Sequence, residues 1–415
     1  MPMTTSCRAV IKRRVFLKQL RQRTLPGLFL FLGSAFGPQA VAEPYTPTSD
    51  DQVLQRLPTP AALQGTDRLQ QTLSASPRDR DTAERLARLY IQAGQSEGDP
   101  RYLGYARATL APWLESGDPP ASMLVLAATI AQGEHRFTEA RHRLRQALEK
   151  NPRLGQGWLT LAVVNQVQGR YDDGLTACAN ATNLVTAAAA LTCQAGLRAL
   201  SGDLNPAYEK LNRYAAVAGR LAEPVPDDVA AWMYTRLAEM AWQKGQPQTA
   251  LKHVRAGRRI APEDRYLRHV HADLLIGQER YREAIALLED YTDQDGALLR
   301  LALAGQAVKD DRATDWAQRF RDRMAAAQRG GELTHLREFA RFTLAVDEDA
   351  EQALSMSQQN WRNQKEPADM LVYLRAAEAA GNPRAADEVH AFIAEHRLQD
   401  ARLQRFLNDR EGDTP

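Results

Sequence analysis

Three residues in one short stretch, His269, His271 and Asp273, belong to types that bind metal ions. A metal site requires three or four such side chains to point at one centre. On a helix, His269 and Asp273 share a face at a spacing of four, whereas His271 points elsewhere. The stretch is therefore interpreted as solvated or partner-facing, and no metal site is predicted.

A second stretch, Gly94-Gln95-Ser96-Glu97-Gly98, matches the Gly-x-Ser-x-Gly string that surrounds the nucleophile of many hydrolases. That chemistry requires the serine on a strained turn between a strand and a helix, with His and acid partners. Residues 83–93 have a helical period and no strand pattern precedes Ser96, which favours an acidic loop through Pro100. The sequence also lacks a zinc-protease helix, a phosphate-binding loop and a dinucleotide glycine motif. It predicts no enzyme and no cofactor.

The elements that carry these stretches are predicted to be helices. Ala, Leu, Arg, Gln and Glu dominate the composition, and no long stretch alternates β-branched and polar residues as a half-buried strand would. A chain of 415 residues is long enough for two or three ordinary domains or for one long repeat array.

The first 42 residues have the order of a secretory signal: basic residues, an apolar run over 25–36, and Ala40-Val41-Ala42 before Glu43. The apolar run is interrupted by proline and glycine and is shorter than the roughly 20 residues of a membrane span. We therefore expect cleavage after Ala42, a periplasmic or secreted protein, and no membrane span after the signal is removed.

The export route has two candidates. The stretch Arg13-Arg14-Val15-Phe16-Leu17-Lys18 looks like the twin-arginine motif that carries folded proteins. However, Arg21 and Arg23 separate this pair from the apolar run by more than is usual. The general secretory route is therefore favoured over the twin-arginine route.

Removal of the signal also changes the charge of the protein. Residues 1–42 contain seven basic residues and no acid, so the net charge of +2 becomes −5 in the mature chain. A mildly acidic protein without a basic stripe is a poor candidate for binding nucleic acid. It also gives no reason to expect an anionic membrane surface as a partner.

The mature chain contains an internal repeat. Small residues at 106, 140 and 174 are each 34 residues apart, Ala207 follows, and Ala250 and Ala284 are again 34 apart. A bulky residue, then Leu three later and a small residue, precedes several of them, as in Trp158, Leu161 and Ala162 or Tyr234, Leu237 and Ala238. This pattern resembles the tetratricopeptide repeat family over residues 120–290, with weaker units at Ala317, Ala353 and Ala386.

The resemblance implies an all-α fold, a right-handed α-solenoid of about eight or nine antiparallel helix pairs. Residues 218–230 lengthen one connection, where the array could bend or divide, and one curved solenoid is favoured. The expected organisation is a signal peptide at 1–42, an extended segment and cap at 43–80, repeats at 81–293, degenerate helical repeats at 294–407 and a disordered tail at 408–415.

The resemblance also brings two cysteines together. By the repeat register, Cys178 lies on the second helix of one unit and Cys193 on the first helix of the next, and those helices pack together. Export to an oxidising compartment would allow a disulfide. The alternative is two small buried residues at packing positions.

In the tetratricopeptide family the first helices line a concave face, where peptides or partner helices dock. The tryptophans at these positions could anchor a partner or pack against neighbouring repeats. A clamp for acidic C-terminal peptides is disfavoured, because the inward positions hold mainly apolar, Gln, Thr or acidic residues. The resemblance places on this face Trp232, Thr235, Glu239, Trp242, Gln243, Tyr266, His269 and Asp273.

The predicted function is an exported scaffold for protein–protein interaction or for assembly of an envelope or secreted complex, with another protein or a peptide in the groove. The alternatives are an accessory subunit for polysaccharide export or for metal or haem cofactor assembly, or an enzyme built on a helical-repeat scaffold. No residue selects the partner or the oligomeric state.

Overall fold

The computed structural model describes residues 48–49, 52, 60–220, 224–329, 335–404 and 406–407. The chain divides into two units, residues 1–57 and 58–415. In the first unit the chain bends at Thr48 and Ser49, and the Thr48 amide donates to Oε1 of Gln52 at 3.2 Å. The predicted signal and tail lie outside the described residues.

The described part of the second unit is all-α, with nineteen α-helices and no strand. None of these helices combines the length and the apolar character needed to cross a membrane. The helices are α1 Asp67–Ala75, α2 Arg80–Glu97, α3 Pro100–Leu114, α4 Ala121–Gly133, α5 Phe137–Lys150, α6 Gly155–Val167, α7 Tyr171–Ala181, α8 Ala187–Leu200, α9 Leu204–Val217, α10 Asp227–Gln243, α11 Pro247–Ile260, α12 Arg265–Ile276, α13 Tyr281–Leu288, α14 Asp295–Val308, α15 Ala313–Arg329, α16 Leu336–Ala345, α17 Ala350–Trp361, α18 Pro367–Ala379 and α19 Asp387–Glu395.

After α1, the helices pack as nine consecutive pairs, from α2–α3 to α18–α19, within the described residues. Short connections reverse the chain within each pair, and most first helices also contact the first helix of the next pair. This is a helical-repeat solenoid, which confirms the all-α class expected from the sequence.

The small residues of the repeat pattern lie where paired helices approach each other. Ala140, Ala250 and Ala284 are fully buried near the start of their second helices. At Gly174 the close neighbour belongs to the next pair, because a Cβ there would lie 2.8 Å from the side chain of Leu197 on α8. The 34-residue spacing is therefore a packing requirement.

The turn inside each pair contains one residue in the left-handed conformation, which reverses the chain in a few residues. Glycine supplies this conformation without steric cost in five of the nine turns, and a residue with a side chain supplies it in four. In chain order these residues are Gly98, His135, Gly169, Gly202, Gly245, Glu279, Lys309, Glu348 and Gly381.

The prediction of a loop from Gly94 to Pro100 is wrong in its first half. Helix α2 continues to Glu97, and the hydroxyl of Ser96 donates to the carbonyl of Ala93 at 3.3 Å within the last helical turn. The left-handed Gly98 then ends the helix. Ser96 therefore lies within a helix and does not follow a strand, unlike a hydrolase nucleophile.

The last helices return to the middle of the array and close the solenoid. The amide of Lys365, before α18, donates to the carbonyl of Val167 at the end of α6, at 2.8 Å. The hydroxyl of Tyr171 donates to the carbonyl of Lys365 at 3.1 Å, and the Tyr171 ring contacts Phe392 with centroids 5.8 Å apart. One hydrophobic core joins residues 124–200 to residues 353–406. The part of the solenoid from α4 to α19 therefore closes into a ring.

Cys178 on α7 and Cys193 on α8 form a disulfide, with Cα atoms 5.8 Å apart. Both side chains are buried, and the bond ties the second helix of one pair to the first helix of the next.

We expect the disulfide to stabilise the ring. A loop closed over a sequence separation of 15 is worth about 3 kcal/mol in the chain-entropy model. A Cys178→Ala/Cys193→Ala double variant should lose a free energy of unfolding of that order in urea titrations. Reducing agent should lower the stability of the wild type and leave the double variant unchanged. Complete alkylation of both cysteines in unreduced, unfolded protein would contradict the bond.

Candidate functional site

A cavity of about 830 Å³ lies inside the ring. Seven first helices, α6, α8, α10, α12, α14, α16 and α18, contribute its walls, together with Arg402 after the last helix. The volume is within the range of roughly 300–1,000 Å³ that is usual for ligand pockets. The first helices line the cavity because the second helices form the outer layer of the solenoid.

Six of the eight residues placed on the concave face by the sequence line this cavity. They are Glu239, Trp242, Gln243, Tyr266, His269 and Asp273.

The structure places the other two residues, Trp232 and Thr235, outside the cavity. Trp232 packs against the core that joins the N-terminal and C-terminal repeats. Thr235 is buried, and its hydroxyl donates to the carbonyl of Ala231 at 2.8 Å. Trp242 does face the cavity, but its ring is covered by the guanidinium of Arg402, 4.5 Å from the ring centre.

The cavity contains several arginines that the sequence interpretation missed. Most of them lie in the C-terminal repeats, which lack the full motif and therefore gave no register. The spacing of Arg337 and Arg341, one helical turn apart on α16, was a usable signal that both share a face. The lining arginines are Arg236, Arg300, Arg337, Arg341, Arg375 and Arg402.

Asp273 is the centre of one charge cluster. Its two carboxylate oxygens accept from Arg300 at 2.5 Å and from Arg341 at 2.7 Å. Burial by itself would raise the pKa of Asp273, but the two guanidinium groups outweigh it and hold the pKa well below its usual value. Asp273 is therefore ionised, and it neutralises one of its two arginines.

His269 lies beside this cluster. Its ring packs on Gly296 at the start of α14, where an added Cβ would be 2.3 Å from the ring. Its Nε2 atom is buried without a hydrogen-bond partner. Burial, with Arg300 and Arg265 nearby, lowers the pKa of His269 well below its usual value, so the imidazole is neutral.

His271 points away from the cavity, as the helical spacing predicted. Its Nδ1 atom is 3.2 Å from Nη1 of Arg258 on α11. No group of three or more His, Cys, Asp or Glu side chains within the described residues is arranged to hold a metal ion.

A second cluster surrounds Arg337. This guanidinium contacts Glu338 at 2.9 Å, Glu366 at 3.3 Å and Asp369 at 3.5 Å. Burial raises the pKa of both Glu366 and Asp369, and Arg337, which is shared among three carboxyl groups, offsets only part of this effect.

Next to this second cluster, α10 and α12 present an aromatic ring and a further ion pair. Arg236 contacts Glu239 at 2.8 Å, and the hydroxyl of Tyr266 donates to the same carboxylate at 2.6 Å. Tyr266 keeps 52% of its surface exposed although it lines the cavity. An aromatic ring left open in this way is available to a ligand.

The side chains of His135, His335 and Gln364 lie close together where the C-terminal repeats contact the turn between α4 and α5. The amide of Gln364 is 3.2 Å from Nδ1 of His135, and the rings of His135 and His335 are 5.5 Å apart. Burial, together with the nearby His335 and Arg337, lowers the pKa of His135 to about 4, and Glu338 opposes this effect. His135 is therefore a neutral member of the contact.

No protein-family model matches this chain, and no curated protein matches it. Several solved structures are similar in fold. Cut9, from the APC/C Cut9–Hcn1 hetero-tetramer, is 15% identical with a TM-score of 0.43; the match covers 72% of this chain and 52% of Cut9, so this chain spans about half of that protein.

Human IFIT1 is 13% identical, with 79% of this chain and 76% of that chain covered and a TM-score of 0.47. A tetratricopeptide repeat protein from Parabacteroides merdae is 11% identical, with 75% and 99% covered and a TM-score of 0.35.

We expect the ring to lose stability as the pH falls. The folded-state pKa of His135 lies below its ordinary value of 6.5, so the unfolded chain takes up the proton first. The stability present above about pH 6.5 is therefore lost progressively towards pH 4, by about 3 kcal/mol for this side chain.

A His135→Asn variant, which tolerates the left-handed backbone, should show a flatter decline of the unfolding midpoint between neutral and acidic pH. The matched control is His142→Asn, at an exposed position on α5. Equal pH profiles for the wild type and the His135→Asn variant would contradict this role.

Proposed function

We propose that this protein is an exported, non-catalytic scaffold that holds a short polypeptide segment of a partner inside the ring, during assembly of an envelope or secreted complex. The observation that carries the proposal is the cavity formed by seven first helices. Such helices are the surface that solenoids offer to partners.

The size and lining of the cavity favour a polypeptide segment. A volume of about 830 Å³ admits a few residues and not a folded domain. The lining combines arginines, carboxylates, an exposed tyrosine and aliphatic side chains such as Leu303 and Leu371. A peptide presents this same mixture of charged, polar and apolar groups.

The lining also supports a role without catalysis. It includes no Ser, Thr, Cys or Lys among the described residues, so these common nucleophiles are missing from the cavity wall. Most of its charged groups are held in ion pairs with each other, as Asp273 is with Arg300 and Arg341.

Filling the cavity should abolish partner binding. Ala368 lines the cavity at the start of α18, and an Ala368→Trp substitution would occupy part of its volume. Cross-linking in the native cell envelope should recover a specific partner with the wild type and lose it with this variant. The control is Ala326→Trp, at an exposed position on α15. A partner retained by the Ala368→Trp variant would count against the cavity as the binding site.

Export should produce a mature chain that begins at Glu43. The expected measurement is N-terminal sequencing of protein from the periplasmic or secreted fraction. An Ala40→Phe substitution removes a small residue that signal peptidase requires and should leave the precursor uncleaved. An Arg13→Lys/Arg14→Lys variant should still be exported by the general secretory route. Protein found only in the cytoplasm would contradict the proposed location.

A further inference from the structure

The charges inside the cavity are divided between two ends. The cationic end consists of Asp273, Arg300 and Arg341, where two guanidinium groups share one carboxylate. The acidic end consists of Glu239 and Glu366 with Arg236 and Arg337. Arg337 also contacts Asp369, which is buried outside the cavity lining, so three carboxyl groups share the two guanidinium groups. Glu338 lies between the ends, bonded to Arg337 and close to Arg300.

We infer that the polypeptide segment held in the cavity carries two opposite charges, an acidic side chain that binds the cationic end and a basic side chain that binds the acidic end. This inference rests on the proposed function, because it names the chemistry of the segment that the ring holds.

The cationic end has guanidinium donors available to bind a carboxylate. Arg300 is 93% buried, and its Nε atom has no hydrogen-bond partner. Arg341 has Asp273 as its acidic partner and keeps 28% of its side chain exposed. A guanidinium group has five N–H donors, so Arg341 retains donors for a second carboxylate in the fork geometry that arginine favours.

The acidic end has carboxyl groups and an aromatic ring available to bind a cation. Arg337 is shared by Glu338, Glu366 and Asp369, and Arg236 is paired with Glu239, so carboxyl groups outnumber guanidinium groups around this end. The exposed ring of Tyr266 lies beside Glu239, to which its hydroxyl donates. A lysine or arginine side chain would find a carboxylate and an aromatic ring together, which is the usual setting of a cation–π contact.

The same pairing argues against a polyanion as the ligand. A nucleic acid or polyphosphate requires a surface of arginines without acidic neighbours. Here Arg236, Arg337 and Arg402 each contact a carboxylate, at 2.8, 2.9 and 2.5 Å. The carboxylates of the acidic end would repel a second row of negative charges.

The test uses synthetic peptides with blocked termini, about eight residues long, which extend to about 26 Å. One peptide carries Glu near one end and Lys near the other, and a second carries them in the reverse order. The comparison peptides replace Glu, Lys or both by Gln, or carry Glu at both positions. Binding to the mature protein is measured by fluorescence polarisation at low and at high salt.

We expect one order of the mixed-charge peptide to bind at least about tenfold more tightly than the peptide with Gln at both positions, with the advantage reduced at high salt. Arg341→Gln should remove the preference for Glu and keep the preference for Lys. Glu239→Gln should have the opposite effect. Arg145→Gln, at an exposed position on α5, is the matched control and should bind like the wild type.

Equal affinity for the mixed-charge and Gln peptides, or tighter binding of the peptide with two Glu residues, would overturn the inference and leave the proposed function standing. The inference would also be overturned if no peptide bound while cross-linking of a partner was still lost in the Ala368→Trp variant. A partner that cross-links equally to the Ala368→Trp variant would instead overturn the proposed function.

Discussion

The main-chain hydrogen bond from Lys365 to Val167 joins two turns that are almost 200 residues apart in the chain. A second one joins Ala401 to the carbonyl of Gln243, at 2.8 Å. A helical-repeat array ordinarily has contacts only between neighbouring units, so its two ends are independent. Here these contacts, with the core shared by residues 124–200 and 353–406, make the later repeats part of the same folded body as the earlier ones.

Ring closure explains why so many charged side chains can lie on the inner face. In an open groove, arginines and carboxylates are hydrated and their ion pairs contribute little to stability. Inside a closed ring each charge is partly removed from water and needs an opposite charge nearby. Asp273 with its two arginines, and Arg337 with its three carboxyl groups, meet this requirement across different helices.

The sequence predicted the fold class and the register of the second helices because both depend on local spacing. A small residue every 34 positions is required wherever two paired helices touch, and it is readable without knowing the rest of the fold. A left-handed turn can be read from the sequence at positions such as Gly169 and Gly245, but not at His135 or Lys309, where the residue type disfavours that backbone conformation.

The candidate site was predictable only in part. Glu239, Tyr266 and Asp273, which the repeat register placed on the concave face, line the cavity. It also placed Trp232 on the inner face, although contact with the shared core takes this residue out of the cavity. The position of a residue on a helix thus determines the direction of its side chain. Which element packs against that side chain depends on parts of the chain far away in sequence.

The sequence by itself determined that the chain forms helix pairs with small residues at their contacts, because helix period and pair packing are properties of short segments. Only the tertiary structure decided that the array closes, that a cavity results, and which charges face each other there. The array closes because of the total rotation accumulated between successive helix pairs, and no single repeat determines that total. Asp273 and Arg341 are 68 residues apart, and they meet because the intervening pairs curve by the required amount.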